Sequence, residues 1–370
     1  MQVLQITHDY PYTSVYQLLF QELIQFSQLK VIIPLKQKDK FMSFTEDVSP
    51  LYCLKSAHLA FWENIKLLNA GLLKVVDPRE FDISHAHFLL IDGELAYQLK
   101  KRYGIPYVVT VRSSCLGYLS NKYKPHLYMH GMRILLKADA VVFTSPIFKQ
   151  QVIDRYVPVY FQQRIKKKSK VVPNGVDKFW LQNVYLHHRR INSGQICFLT
   201  VGTIEKNKNH FMVVKALELL RSKGFNIEYR IVGKCLDKSI YNELVRIPFI
   251  KYFEPRSKEK LVKLYREADI FILVSEIETF GLVYAEAMTQ GLPVIYSKGQ
   301  GFDGQFKEGE VGYHADSNSP NDICQAIEKI LCNYENISQK LPVLARKFDW
   351  TLIAKEYDCL YKNIRLGVTL

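Results

Sequence analysis

The stretch at 275–294, SEIETFGLVYAEAMTQGLPV, carries the decisive reading of this 370-residue chain. It follows DIFILV, an apolar run without alternation, as a strand buried on both faces requires. The run stops at Ser275, a polar loop follows, and helical character begins near Gly281. A strand that passes through a loop into a helix turns the first backbone N–H groups of that helix outward. Those of Phe280, Gly281 and Leu282 suit a phosphate or a sugar hydroxyl. Glu278 lies just before the helix and Glu286 within it. Carboxylates are acceptors only and each can take two neighbouring hydroxyl donors, so the pair points to a ligand rich in hydroxyls.

Outward from this stretch, the same rhythm fills the chain. VLQITH, LKVIIPL, ISHAH, PYVVTV, AVVFTS and KVVPNG read as strands in the first half; ICFLTVG, IEYRIVG and PVIYS join DIFILVS in the second. Between them lie helical patterns such as SVYQLLFQELIQFSQ, IDGELAYQLKKRYG closed by Gly104, and HFMVVKALELLRSKG closed by Gly224. This alternation predicts α/β architecture, with parallel sheets covered by helices on both faces. The rhythm breaks at 178–194, KFWLQNVYLHHRRINSG, which is polar and has no clear period. The expected organisation is therefore two doubly wound, Rossmann-like domains, 1–180 and 181–348, facing across a cleft, with ligands at the carboxyl ends of the strands.

Composition narrows the function. Hydrophobic residues at 48% and charged residues at 23% exclude a disordered or fibrous chain. No apolar run approaches the roughly 18–20 residues of a membrane-spanning helix. MQVLQITHDYPY has no charged segment followed by an apolar one, so no secretory signal is expected. Seven cysteines, an odd number without a CxxC pair, read as reduced thiols and place the chain in the cytoplasm or on the cytoplasmic face of a membrane. The formal net charge of +14 is uneven: residues 1–180 hold 24 Lys and Arg against 14 Asp and Glu, and residues 181–370 hold 26 against 22.

ETFGLVYAEAM followed by GLPV resembles the E-x7-E signature of the family 4 (group 1) retaining glycosyltransferases of the GT-B fold. VVPNGVD at 171–177, VGTIEKNKN at 201–209 and YREADIFILVS at 265–275 resemble further motifs of that family in the same order. FDWTLIAKEYDCLYKNI at 348–364 resembles its final helix, which implies that 349–370 returns to the first domain. The resemblance covers nearly the whole chain and is strongest over 171–296. It implies a metal-independent hexosyltransferase that needs no cofactor beyond the nucleotide sugar it consumes, and the absence of a DxD triplet agrees.

The resemblance also implies roles for particular residues. Glu286 would hold the ribose hydroxyls; Glu278, Thr279 and the Phe280–Leu282 backbone would hold the transferred sugar and the diphosphate. Lys208 would neutralise the leaving diphosphate, a task suited to a preorganised cation. Gly202, Thr203 and Gly233 stand where loops leave their strands for the donor. Glu278, Lys208 and Arg112 are thus the catalytic candidates, and His85, His87 and Arg112 the candidates on the acceptor side.

Three departures mark this chain. Thr203 replaces the Arg usual in the family, Arg112 stands where a His is usual, and HDYPYTSVY lacks a Gly-Gly turn in the first loop. Arg cannot act as a base at neutral pH, but it can bind an anionic or hydroxylated acceptor. These departures also fit a catalytically silent partner subunit. A nucleic-acid-binding role is disfavoured, because the basic half carries no recognisable reader motif.

Other features have plainer readings. Gly299, Gly301 and Gly304 form a GxGxxG without a following helix, so a glycine turn beside the donor site is expected rather than a dinucleotide site. HLAFWENIKLLNAGLLKVV at 58–76 reads as a core-facing amphipathic helix, with a membrane-facing or lipid-facing role as the alternative. RIKKKSK at 164–170 reads as a solvated loop that could also meet anionic lipid. The expected partners are therefore a nucleotide sugar, a glycan or lipid-linked acceptor and an anionic membrane surface met by the first domain. Analogy with the family makes the acceptor a growing cell-surface glycan.

Overall fold

The computed structural model describes residues 1–36, 47–53, 61–112, 125–187, 189–191 and 194–368. The chain forms two compact units, one of Met1–Gly175 with Trp350–Leu370, the other of Val176–Asp349.

The first unit is built on seven parallel strands: β1 (Gln2–Ile6), β2 (Gln28–Lys36), β3 (Val48–Cys53), β4 (Ile83–Ala86), β5 (Tyr107–Val111), β6 (Ala140–Phe143) and β7 (Ser169–Val171). Their order, β3-β2-β1-β4-β5-β6-β7, reverses direction between β1 and β4. The central strands β4, β5 and β6 are buried at every position, which explains their unbroken apolar character. The helix Ser14–Leu23 starts at Thr13, whose hydroxyl accepts from the Val15 N–H. The helix Ile91–Tyr103 ends at Gly104 in the left-handed conformation, as expected. The C-terminal helix Trp350–Arg365 packs on Ser14–Leu23 and buries Trp350, Ile353, Tyr357 and Tyr361. At Gly175 a β-carbon would stand 2.5 Å from the Trp350 ring, so only glycine lets the chain pass under that helix.

The second unit holds six parallel strands: β8 (Ile196–Val201), β9 (Ile227–Val232), β10 (Ile250–Phe253), β11 (Ile270–Leu273), β12 (Val294–Ser297) and β13 (Gly312–Ala315). The order β10-β9-β8-β11-β12-β13 reverses between β8 and β11. The unit begins at Val176, ahead of the aperiodic stretch and of the expected start at 181 within it. Asp177 caps a short helix, Lys178–Gln182, and buries Trp180 edge-on against Tyr265 with ring centroids 5.4 Å apart. A five-residue helix is too short to show a period, which is why its sequence read as a linker.

Two sequence readings change in detail. RIKKKSK is not a loop: it is the end of the helix Val159–Lys167 and the start of β7. Lys168 Nζ donates to the carbonyls of Leu136 and Ala138 at 2.9 and 2.5 Å. It thereby satisfies carbonyls at the end of the helix Pro125–Lys137, and burial lowers its pKa to about 8. In the 58–76 stretch, residues 58–60 lie outside the described residues. The helix Phe61–Val75 turns Ile65, Leu68 and Leu72 into the core, the core-facing reading.

Candidate active site

In the second unit, the switch point between β8 and β11 gathers three loops at the strand carboxyl ends, where an open α/β sheet leaves a crevice. The loop after β8 carries Lys208, the loop after β11 carries Glu278, and the turn after β12 packs on the Glu278 loop. Lys208 Nζ and Glu278 Oε2 lie 2.9 Å apart, with side chains 18% and 12% exposed. Such a pair is partly dehydrated yet open to a ligand. The Ser275 hydroxyl, at the end of the buried strand, donates to the same carboxylate oxygen at 3.2 Å.

The loops are braced by side chains that sequence reasoning missed. Asn207 bonds to Ile277 twice, its amide oxygen accepting from the Ile277 N–H at 2.9 Å and its amide nitrogen donating to the carbonyl at 3.0 Å. Asn209 adopts a left-handed conformation at φ 56°, rare for a side-chain-bearing residue. Its amide donates to the Val274 and Ser317 carbonyls at 3.2 and 2.6 Å. His210 is buried against the Tyr229 hydroxyl and the Thr203 carbonyl, and burial pushes its pKa down to about 4. These groups hold Lys208 in place from both sides. The one signal available beforehand was the pair of Asn residues in a loop that needed a left-handed turn.

The signature helix runs Leu282–Thr289, so the expected helix start near Gly281 falls one residue later. Gly281 precedes it at φ 74° without a side-chain cap, and a β-carbon there would collide with the Tyr284 ring at 2.2 Å. Phe280 turns its ring into the core against Phe348, leaving only its backbone for a ligand; Leu282 is half-buried and Thr279 exposed. Glu286, one turn along, is partly exposed and accepts from the Tyr265 hydroxyl at 3.1 Å. Burial raises its pKa to about 7, against the hydrogen bond from Tyr265 and the field of Lys258, with Asp177 pushing it further up. A carboxyl poised there exchanges protons around neutrality.

The glycines divide by role. Gly202 has room for a β-carbon, which would lie against the Lys208 side chain at 3.7 Å. Gly233 does not reserve space for a ligand: a β-carbon there would stand 1.9 Å from the Gly202 carbonyl oxygen, so its need for glycine is the packing of two loops. Thr203 turns its hydroxyl to Glu205 at 2.5 Å. The GxGxxG stretch is the expected turn, with Gly301 packed so closely that a β-carbon would meet the Thr279 carbonyl oxygen at 2.0 Å. Gln300 in that turn accepts from the Glu278 N–H at 3.1 Å and donates to the Glu276 carbonyl at 3.1 Å.

The first unit's candidates gather near its own switch point. Arg112 follows β5, is 7% exposed, donates to the Asn174 side chain at 3.2 Å and lies over the Tyr16 and Phe88 rings at 5.1 and 5.7 Å. His85 is fully buried, with its ring nitrogens bonded to the Tyr361 hydroxyl at 2.6 Å and to Thr110 at 2.8 Å. Burial, helped by Arg112, pushes its pKa down to about 3, so it is a neutral core residue with no free nitrogen. His87 bonds Gln5 through Nε2 at 2.8 Å, while Nδ1 has no partner among the described residues. It too is held neutral, by burial and by His85 and Arg112.

Two parallel-sheet α/β units, each reversing its strand order at a central switch point, have the architecture of the GT-B fold. A family model of group 1 glycosyl transferases matches residues 186–343, and one of family 4 glycosyltransferases matches residues 34–178. The chain belongs to this family of nucleotide-sugar-dependent glycosyltransferases. It is 24% identical over 303 residues to an uncharacterized glycosyltransferase of Methanocaldococcus jannaschii, covering 79% of each chain. It is 25% identical over 311 residues to a D-inositol 3-phosphate glycosyltransferase of Corynebacterium jeikeium, covering 77% of this chain and 73% of the relative. A solved lipopolysaccharide outer core galactosyltransferase matches with a TM-score of 0.75 at 16% identity, covering 99% of both chains.

Proposed function

We propose that this enzyme transfers a hexose, with retention of anomeric configuration, from a nucleotide sugar to a glycan or lipid-linked acceptor. The work would belong to cell-surface polysaccharide synthesis at the cytoplasmic face of a membrane, with the basic first unit in peripheral contact with anionic lipid. The observation that carries the reading is the Lys208–Glu278 pair beside the uncapped start of the signature helix, with Glu286 one turn along. These groups match the parts of a nucleotide sugar. Glu286 takes two ribose hydroxyls and Glu278 the sugar hydroxyls. Lys208 and the helix N–H groups take the diphosphate.

In the transfer, the bond between the anomeric carbon and the diphosphate oxygen breaks as the acceptor oxygen bonds to that carbon. The electron pair of the broken bond leaves on the diphosphate, where Lys208 offsets the growing negative charge. The leaving oxygen accepts the acceptor's proton on the same face, so no protein base is needed. Lys208 supplies the cation that a metal supplies elsewhere, so chelation with EDTA leaves the rate unchanged. Arg112 is assigned to the acceptor, where a guanidinium suits a phosphorylated or polyhydroxylated group. The inositol phosphate and lipopolysaccharide in the names of the two similar transferases support that chemistry.

Isothermal titration with UDP-, GDP- and ADP-linked hexoses tests the reading. One donor binds, and Lys208→Ala and Glu286→Ala each weaken it. If no donor binds, or both variants bind as the parent does, the transferase reading gives way to a silent partner subunit.

A further inference from the structure

The two most exposed large apolar side chains among the described residues are neighbours: Val159 is 83% and Tyr160 89% exposed. They open the helix Val159–Lys167, directly after the exposed Pro158. Along the helix, Val159, Tyr160, Gln163, Arg164 and Lys167 are all exposed and share one face by helical spacing. That face is apolar at its start and basic at its end. The other face is committed to the fold: Ile165 is fully buried and Phe161 packs on the core. Gln162 ties the helix back to the chain before it, donating to the Ile153 and Val157 carbonyls at 3.2 and 3.1 Å. The tip is thus a rigid platform that presents an aliphatic and an aromatic residue to the surroundings.

The charges around it are mostly of one sign. Arg155, Arg164, Lys166 and Lys167 are exposed, and among the described residues Asp154 is the acidic side chain paired with one of them, 3.8 Å from Lys166. Lys168 and Lys170 do not contribute, because Lys168 is bonded to Leu136 and Ala138 and Lys170 pairs with Glu356 at 3.1 Å. We infer that this tip inserts Val159 and Tyr160 into the interfacial layer of an anionic bilayer while Arg155, Arg164 and Lys167 meet the phosphate headgroups. Tyrosine suits that layer, with an apolar ring and a hydroxyl that stays wet. The positive side chains draw the tip to anionic lipid. Two side chains on a short helix offer too little apolar surface for a stable protein interface, whereas a bilayer accepts a projecting tip.

The inference names the surface for the membrane contact proposed above, and it can fail without touching the transferase chemistry, since it is read without donor or acceptor. The full chain is sedimented with phosphatidylcholine vesicles, alone or with about one-third phosphatidylglycerol. Binding to the anionic vesicles, weakened by salt, is expected. Val159→Ser with Tyr160→Ser, and separately Arg164→Glu with Lys167→Glu, should each weaken it at least about tenfold. All four positions are exposed, so folding is kept, and Val343→Ser, at another exposed apolar residue, should bind as the parent does. Absence of vesicle binding, or binding that either double variant leaves intact, overturns the inference. Equal affinity for soluble polyglutamate, indifferent to Val159 and Tyr160, overturns it in favour of an acidic protein partner.

Discussion

The two sheets reverse strand order in the same way, yet their switch points are furnished differently. In the second unit, the groups at the switch point are a partly open ion pair, an uncapped helix start and a carboxyl poised near neutrality. In the first, they are two buried neutral histidines and an arginine held between aromatic rings. The second set can change partners when a charged ligand arrives. Much of the first set is already bonded to the core, and its adjustable members are Arg112 and the His87 Nδ1, which has no partner among the described residues. The contrast suits a division of labour in which one unit handles the developing charge and the other positions an acceptor.

The most direct way to break this division is Lys208→Ala. If the diphosphate's charge is met in the second unit, transfer should fall by about 10²–10³-fold in kcat, as expected for removing a preorganised charge from a transition state. A loss below tenfold in steady-state assays would assign the charge-neutralising role to another group. Glu286→Ala should follow, with donor affinity down roughly 10–100-fold by titration, a loss of about 1.5–3 kcal/mol for the charge-assisted hydrogen bonding to the ribose taken together.

The same residue sets a pH dependence. Its pKa of about 7 lies above the ordinary 4.5, so the carboxylate that ribose hydroxyls prefer is lost as pH falls through 7. Donor affinity should drop by up to about tenfold per pH unit below that point, and Glu286→Gln should flatten the profile. Stability runs the other way. A carboxyl whose folded pKa is raised leaves the fold unstrained below its unfolded pKa. It costs stability as pH climbs through the window from 4.5 to about 7 and keeps that cost above it. Calorimetry should therefore find Glu286→Gln more heat-stable than the parent at pH 8, by roughly 1–3 kcal/mol, and nearly equal to it at pH 4.

Smaller effects sharpen the acceptor side. Arg112→Lys keeps the charge but loses the fork and the ring stacking, so acceptor KM should rise about tenfold while donor affinity stays put. A shift in donor affinity instead would erase the distinction between the units. At the bottom of the scale, His85→Asn should leave transfer per folded molecule unchanged and lower stability by about 1–3 kcal/mol, because Tyr361 and Thr110 lose a buried partner.

Legibility followed locality. The signature helix, its glycine, the Lys208 loop and the glycine turn each lie within a short run of residues, and each could be read there. The pairing of Lys208 with Glu278 joins residues 70 positions apart and needs the adjacency of β8 and β11. β3, β10 and β13, short strands at or near sheet edges, escaped the reading because few of their positions are buried enough to show a pattern. The lysines of 164–170 looked alike in sequence; only packing separates Lys168, which satisfies a helix end, from Lys167, which faces solvent.

Apolar periodicity and helix-closing glycines were enough to read two parallel-sheet units, because each is a consequence of neighbours along the chain, whereas the two glutamates pointed to a hydroxyl-rich ligand only within the whole signature string. Tertiary structure decided which candidates are free to act. It closed His85 and Gly233 into the packing, poised Glu286 near neutrality and left Val159 and Tyr160 bare. Burial depends on residues distant in sequence, and burial sets whether a polar group keeps its proton, its partner or its access to a ligand.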